Sequence, residues 1–288
     1  MNVVLFGEAG AGKTTTLDMY AMKVAASEHQ DWLPLFLPLT KIIDSSNKIT
    51  TNTLEAASAL ENEIIRYFKA NNLVTNKEEF RDTLSKKGRV IFLFDGVDEI
   101  SKSSPWVINA IPQLAQSYPN SQIIISSRLT ENQLDHMDFL KLTLMPFDDE
   151  QLIKFISAWF TDDKSKIGLI NEHLVSNANI SKIIRTPLLA TILCVLAESN
   201  VPLPTSELSL YKERLKLLLG HYDVHKGIRR QESHNDILEV IARKIAFSFH
   251  SSEKRMATID AIIGISIGAL SMKYEKTAIE TAVNELCD

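Results

Sequence analysis

The sequence predicts an α/β fold, a parallel sheet flanked by helices, followed by an all-helical region. Three observations carry that prediction. Gly7-Glu8-Ala9-Gly10-Ala11-Gly12-Lys13-Thr14 fits G-x-x-x-x-G-K-[ST] and lies between an apolar run, Val3-Val4-Leu5-Phe6, and a helical pattern. Val90-Ile91-Phe92-Leu93-Phe94 is continuously apolar, as expected of a parallel strand buried on both faces. Beyond Asp148 no segment has a convincing strand pattern, whereas amphipathic helical patterns recur.

Taken in order, the first strand and loop lead into a helix over residues 14–27. Leu35-Phe36-Leu37 is a strand flanked by Pro34 and Pro38, and prolines at both ends place it near a sheet edge. A polar loop over 44–53 precedes a helix with Leu54, Leu60, Ile64, Ile65 and Phe68 on one face. Residues 78–86 form a short helix closed by Gly88. The strand at 90–94 ends in Asp95-Gly96-Val97-Asp98-Glu99, and a helix follows from Pro105. Ile123-Ile124-Ile125 is a strand ending in Ser126-Ser127-Arg128, and residues 140–144 alternate as a fifth strand. Strands separated by helices predict a parallel sheet. Ligands of such sheets sit at the carboxyl ends of the strands, where these polar clusters fall.

The second half begins with a helix carrying Leu152, Ile153, Ile156, Trp159 and Phe160, with the Trp159-Phe160 pair expected in the core. Residues 187–198 and 206–220 are two more helices, the latter broadly apolar. Residues 227–233 form a polar, basic linker, and a last helical unit starts at Ile237. The expected division is 1–147, 148–230 and 231–288.

Composition narrows the classes of function. The 288 residues suit roughly two domains of about 100–200 residues each. Thirty-one Lys+Arg against 36 Asp+Glu give a net charge of −5, spread along the chain, which argues against a dedicated nucleic-acid groove. Cys194 and Cys287 lack metal spacing, and Cys194 in an apolar helix is a core residue of a reducing compartment. The apolar stretches 187–197 and 261–272 fall short of the roughly 18–20 residues a bilayer demands, and no signal peptide leads the chain. A cytoplasmic location without membrane partners is expected. Because the phosphate-loop strand begins at residue 2, we expect a fragment or a split system. His221 and His225 are spaced i,i+4 without a third ligand, and Lys226, Arg229 and Arg230 are expected in a solvated linker.

The chemistry concentrates at the strand ends. Gly7, Gly10 and Gly12 allow a tight turn that presents backbone N–H groups to an anion, aided by the helix N-terminus. Glu8, Ala9, Ala11 and Thr15 complete the phosphate-binding stretch. Lys13 can reach the β and γ phosphates, and Thr14 can place its hydroxyl on Mg²⁺. Asp95 is the acidic partner of that metal. Gly96 leaves room for Asp98 and Glu99, either of which can orient or deprotonate the attacking water, Glu99 being preferred. Arg128 can sense the γ-phosphate as a fixed donor.

GEAGAGKTT, the strand ending in DGVDE, IIISSR, the RTPLL of residues 185–189 and LYKERLKLLL from Leu210 together resemble the NACHT family. These are P-loop NTPases of the STAND signalling class, found in inflammasome receptors and bacterial antiviral proteins. The small residue after Asp95 and the shifted acidic pair distinguish the pattern from ordinary AAA+ proteins. The resemblance implies an ATP/ADP-binding core with the Arg128 strand between those carrying Lys13 and Asp95. It implies Pro187 near the adenine, and a partial winged-helix unit from about Asn235. ADP would hold such a chain closed, and ATP would open it to self-oligomerise and drive an effector. Effector and sensor regions are not visible in the sequence. The family's phosphate-facing histidine has no clear counterpart, His250 being the nearest. Rival readings are an AAA+-like ATPase acting on nucleic acid, a P-loop phosphotransferase, and an adaptor that binds ATP without hydrolysing it. No guanine-reading N-K-x-D motif is present.

Overall fold

The computed structural model describes residues 1–27, 32–43, 55–87, 89–128, 134, 137–161, 163–219, 235–252 and 257–287. The chain divides into two compact units, Met1–Asp148 with Thr186–Leu188, and Asp149–Arg185 with Leu189–Asp288.

The first unit contains strands β1 (Val3–Phe6), β2 (Trp32–Pro38), β3 (Arg89–Asp95), β4 (Ser121–Ser127) and β5 (Leu140–Thr143). Helices α1 (Lys13–Ala25), α2 (Leu39–Ile42), α3 (Ala56–Ala70), α4 (Lys77–Lys87), α5 (Val97–Ile100) and α6 (Trp106–Ser117) connect them. The sheet runs β2-β3-β4-β1-β5, and every pairing is parallel. β2, with its prolines, lies at one edge as expected. β4, which leads to Arg128, lies between the strands leading to Lys13 and Asp95, the order the resemblance implies.

The unbroken apolar run of β3 divides by alternation between two layers. Val90, Phe92 and Phe94 join the core with Leu60 and Ile64 of α3 and Ile111 and Leu114 of α6. Ile91 and Leu93 face the other way, onto Leu17 of α1. Burial on both faces is why no polar residue interrupts the strand before Asp95.

The regular elements of the second unit, among its described residues, are all helices: α7 (Asp149–Trp159), α8 (Lys164–Ser176), α9 (Ala178–Ile183), α10 (Pro187–Glu198), α11 (Glu207–Leu218), α12 (Asn235–Ser251), α13 (Ile259–Leu270) and α14 (Lys276–Cys287). Thr186 and the first two residues of α10, Pro187 and Leu188, count with the first unit. α12, α13 and α14 share a core of Ile237, Leu238, Ile241, Leu270, Ile279 and Val283. Cys194 is buried in α10, and that burial pushes its thiol up to about 12.

Several expectations change. Helices α8 and α9 were not anticipated, although Asp163 caps α8 by accepting from Lys166 N at 3.1 Å, and Ile170 and Leu174 supply its buried side. Phe160 is core, but Trp159 and Ile153 are exposed, because α7 turns only its Leu152 and Ile156 stripe inward. In α11 only Leu210 is buried, while Leu208, Tyr211 and Leu218 face solvent. His250 lies exposed in the last turn of α12. Gly88, His221, His225, Lys226, Arg229, Arg230, the 44–53 loop and the 227–233 linker lie outside the described residues. Among the described residues no helix is long and apolar enough to cross a membrane.

One buried charge fastens the helical layer. Glu61 of α3 accepts from Arg81 Nε at 2.9 Å and Nη2 at 2.8 Å, and pairs with Lys77 Nζ at 2.8 Å. Tyr118, just after α6, donates its hydroxyl to the same carboxylate. Burial would raise this carboxyl, but the hydrogen bonds from Arg81, Lys77 and Tyr118 outweigh it and hold it down at about 2. A depressed folded-state value contributes stability above the unfolded value of about 4.5, and that contribution fades as pH falls towards 2. Glu61→Gln should therefore lower the unfolding free energy at pH 7 by about 2 kcal/mol. Urea denaturation of both proteins should show the gap closing as pH is lowered through that window. A gap of constant size would assign the loss to packing instead.

Candidate functional site

The site is assembled where β1, β3 and β4 end. Gly12 caps α1 at φ 88°, and Gly10 sits at φ 79°, so the loop turns through two left-handed residues before the helix begins. Lys13 Nζ donates to Gly7 O at 2.7 Å and to Glu8 O at 3.1 Å, which ties the ammonium to its own loop. Burial lowers the Lys13 pKa below the usual lysine value. Arg128 lowers it too, against the opposing pull of Asp98, Asp95 and Glu99.

Thr14, in the first turn of α1, donates its hydroxyl to Asp95 Oδ2 at 2.8 Å. Asp95 Oδ1 accepts from Ser126 Oγ, and the same oxygen of Ser126 accepts from Gly96 N at 3.0 Å. Gly96 is left-handed at φ 80° and opens the short helix α5, which carries the acidic pair. Arg128 Nε contacts Asp98 Oδ2 at 2.9 Å, while its Nη2 stands 3.9 Å from Glu99 Oε1. The two acids differ in setting. The Asp98 side chain is 9% exposed, whereas that of Glu99 is 51% exposed, with its carboxyl over Gly96.

The sequence candidates thus converge. Thr14 bonds to Asp95, Arg128 pairs with Asp98 and stands near Glu99, and Lys13, bonded to the loop, feels the charges of Asp98, Arg128, Asp95 and Glu99. Glu8 takes part through its backbone carbonyl, while the side chains of Glu8, Ala9 and Thr15 face solvent. Pro187 also comes to the loop: its Cγ lies 3.6 Å from where a Gly12 Cβ would stand. Two residues escaped the sequence reading. Ser126 stood only within the IIISSR motif and Leu188 only within RTPLL, neither with a role of its own. Leu188 N donates to Gly10 O at 3.3 Å, and its side chain covers Gly10. Both roles depend on neighbours distant in the chain, so no local spacing announces them. Among the described residues no group of three or more His, Cys, Asp or Glu forms a metal cluster.

Gly10 and Gly12 share a left-handed backbone but not the same surroundings. A Cβ on Gly10 would lie 2.8 Å from Leu188 Cβ, an overlap that backbone must absorb, whereas Gly12 meets only ordinary contact with Pro187. Each Gly→Ala change carries about 1–2 kcal/mol of left-handed strain. Gly10→Ala should exceed Gly12→Ala in destabilisation by a further ~1 kcal/mol or more. Urea midpoints measured without nucleotide should rank the two variants in that order.

Residues 1–163 match the NACHT domain family. No curated protein gives a significant match. Among solved structures the chain is similar to the Aeropyrum pernix ORC1 protein in complex with DNA, at 13% identity over 99% of this chain and 86% of that one, with a TM-score of 0.44. It is similar to Drosophila ORC bound to DNA at 12% identity, 95% and 76% coverage and a TM-score of 0.42. A third likeness is to the replication initiator DnaA bound to AMPPCP and single-stranded DNA, at 17% identity, 98% and 81% coverage and a TM-score of 0.40. Likenesses at these scores carry no argument for this chain. The family match takes in the glycine loop, the Asp95 strand and Arg128 together. The chain belongs to the NACHT domain family of P-loop, nucleotide-binding NTPases.

Proposed function

We propose that this chain is an ATP/ADP-binding, Mg²⁺-dependent nucleotide switch with slow ATP hydrolysis, serving signal transduction in innate immune or antiviral defence. The observation that carries the reading is the Thr14–Asp95 hydrogen bond, which joins the phosphate loop to the tip of a strand two positions away in the sheet. The donor set suits Mg²⁺, since a hydroxyl and a carboxylate are hard oxygen ligands. Lys13 and Arg128 against Asp95, Asp98 and Glu99 leave one negative charge in excess, so a triphosphate needs a divalent counterion here. When bound, the ion would neutralise charge on the phosphate oxygens.

The chain's own residues divide the remaining work. Loop amides and Lys13 hold the phosphates, Lys13 exchanging the Gly7 and Glu8 carbonyls for phosphate oxygens. Thr14 and Asp95 would hold the metal. Glu99, half-exposed and 3.9 Å from the arginine, is free to orient the attacking water or take its proton. Asp98, nearly buried and paired with Arg128, holds that guanidinium in place to report the γ-phosphate. Pro187, against Gly12, belongs to the nucleotide-covering segment. Hydrolysis then resets a conformational equilibrium, and the output is a population shift that exposes surfaces for self-association and for effector or sensor partners. Cytoplasmic residence goes with this reading.

Calorimetry on Lys13→Ala should show no nucleotide binding, and retained affinity would overturn the phosphate role of that lysine. Asp95→Ala combined with Glu99→Ala should keep binding and lose phosphate release, and continued turnover would remove both from the mechanism.

A further inference from the structure

We infer that Ser126 is a positioning residue for the Mg²⁺–nucleotide site, acting through Asp95; the inference rests on the nucleotide reading above. β4 lies between the strands that end in the glycine loop and in Asp95. Neighbouring strands stand about 4.8 Å apart, so those two ends are separated by roughly 10 Å. The tip of β4 fills that interval, and Ser126 is fully buried there.

Its hydroxyl makes two bonds of opposite sense. It donates to Asp95 Oδ1 and accepts the Gly96 N–H at 3.0 Å. With Oδ1 engaged, the carboxylate is turned so that Oδ2 meets Thr14 Oγ1 at 2.8 Å. Holding the Gly96 N–H fixes the first peptide of the left-handed turn that delivers Asp98 and Glu99. One hydroxyl therefore sets both the rotamer of the metal-binding acid and the start of the segment that carries the acidic pair. Partners behind a ligating carboxylate tune metal affinity about 10–100-fold. Ser127 supplies an internal comparison: it is equally buried, and its Oγ has no hydrogen-bond partner among the described residues.

The test measures ATP affinity of the full chain by calorimetry, in EDTA and across a Mg²⁺ titration, for wild type, Ser126→Ala, Ser126→Thr and Ser127→Ala. Ser126→Ala should raise the half-saturating Mg²⁺ about tenfold or more while leaving the affinity in EDTA within about twofold. Ser126→Thr, which keeps the hydroxyl, should restore the wild-type midpoint, and Ser127→Ala should match wild type throughout. A wild-type Mg²⁺ midpoint in Ser126→Ala overturns the inference. So does an equal loss in EDTA and in Mg²⁺, or a failure of threonine to rescue. If circular dichroism shows Ser126→Ala unfolded, Ser126→Cys decides by the same criteria, since the thiol keeps the volume and donates weakly. A wild-type chain whose nucleotide affinity ignores Mg²⁺ removes the nucleotide reading itself. A wild-type dependence that the serine variants leave unmoved removes only the role of Ser126.

Discussion

The hydrogen bond from Thr14 to Asp95 has to bridge two strand spacings, because the order of the sheet sets β4 between β1 and β3. With β4 inserted between β1 and β3, the two groups meet only above the tip of the middle strand. Whatever occupies that tip must be small and must hydrogen-bond, because it is buried beside a carboxylate. Serine at 126 meets both conditions, and glycine at 96, left-handed at φ 80°, lets the chain leave β3 sharply. The apolar alternation of β3 serves the same end. With Phe92 and Phe94 anchored in one layer and Ile91 and Leu93 in the other, Asp95 has no freedom to slide along the strand.

The polar groups of the site are held by one another and by the loop backbone. Lys13 donates to loop carbonyls, Arg128 is held by Asp98, and Thr14 by Asp95. A phosphate arriving here exchanges hydrogen bonds rather than creating them, so net affinity depends on the difference between the two sets. That difference favours a polyphosphate, because its oxygens carry full charge where the Gly7 and Glu8 carbonyls carry only dipoles. The burial that lowers the Lys13 pKa works in the same direction, since a poorly solvated ammonium gains more from an anion than a hydrated one does.

What the sequence made legible was local. The glycine loop, β3 with its terminal aspartate, and the edge position of β2 each rest on residue types and spacings confined to one segment. Strand order came from resemblance, because no local pattern encodes which strands become neighbours. The individual roles of Ser126 and Leu188, though both lie in quoted motifs, stayed hidden for the same reason: one matters because Asp95 arrives from the adjacent strand, the other because a loop 178 positions earlier in the chain packs beneath it. Trp159 misled through composition, since a large aromatic in an amphipathic helix suggests core, yet the buried stripe of α7 runs through Leu152 and Ile156. Glu61 shows the converse, a carboxylate on the buried side of α3 that is tolerable only because Arg81, Lys77 and Tyr118 come from elsewhere to meet it. Helix α8 carried readable signals, a capping Asp163 and a periodic apolar stripe, but Gly168 weakened its pattern.

The packing of Leu188 on Gly10 changes how the phosphate loop is understood. Glycine in such a loop is ordinarily ascribed to its left-handed backbone, and Gly10 at φ 79° satisfies that account. Yet Gly12, at φ 88°, would tolerate a methyl group spatially where Gly10 would not. At Gly10, then, two independent constraints coincide: a torsion that an L side chain resists, and a leucine that occupies the space a side chain would need. The backbone bond from Leu188 N to Gly10 O adds a third, because the carbonyl direction at Gly10 is set by the torsions of the loop itself. Rotation of that peptide cannot occur without breaking the bond or carrying the first residues of α10 with it. The conformation of the loop at Gly10 and the position of the Thr186–Leu188 segment are therefore tied together by one backbone bond and one packed side chain.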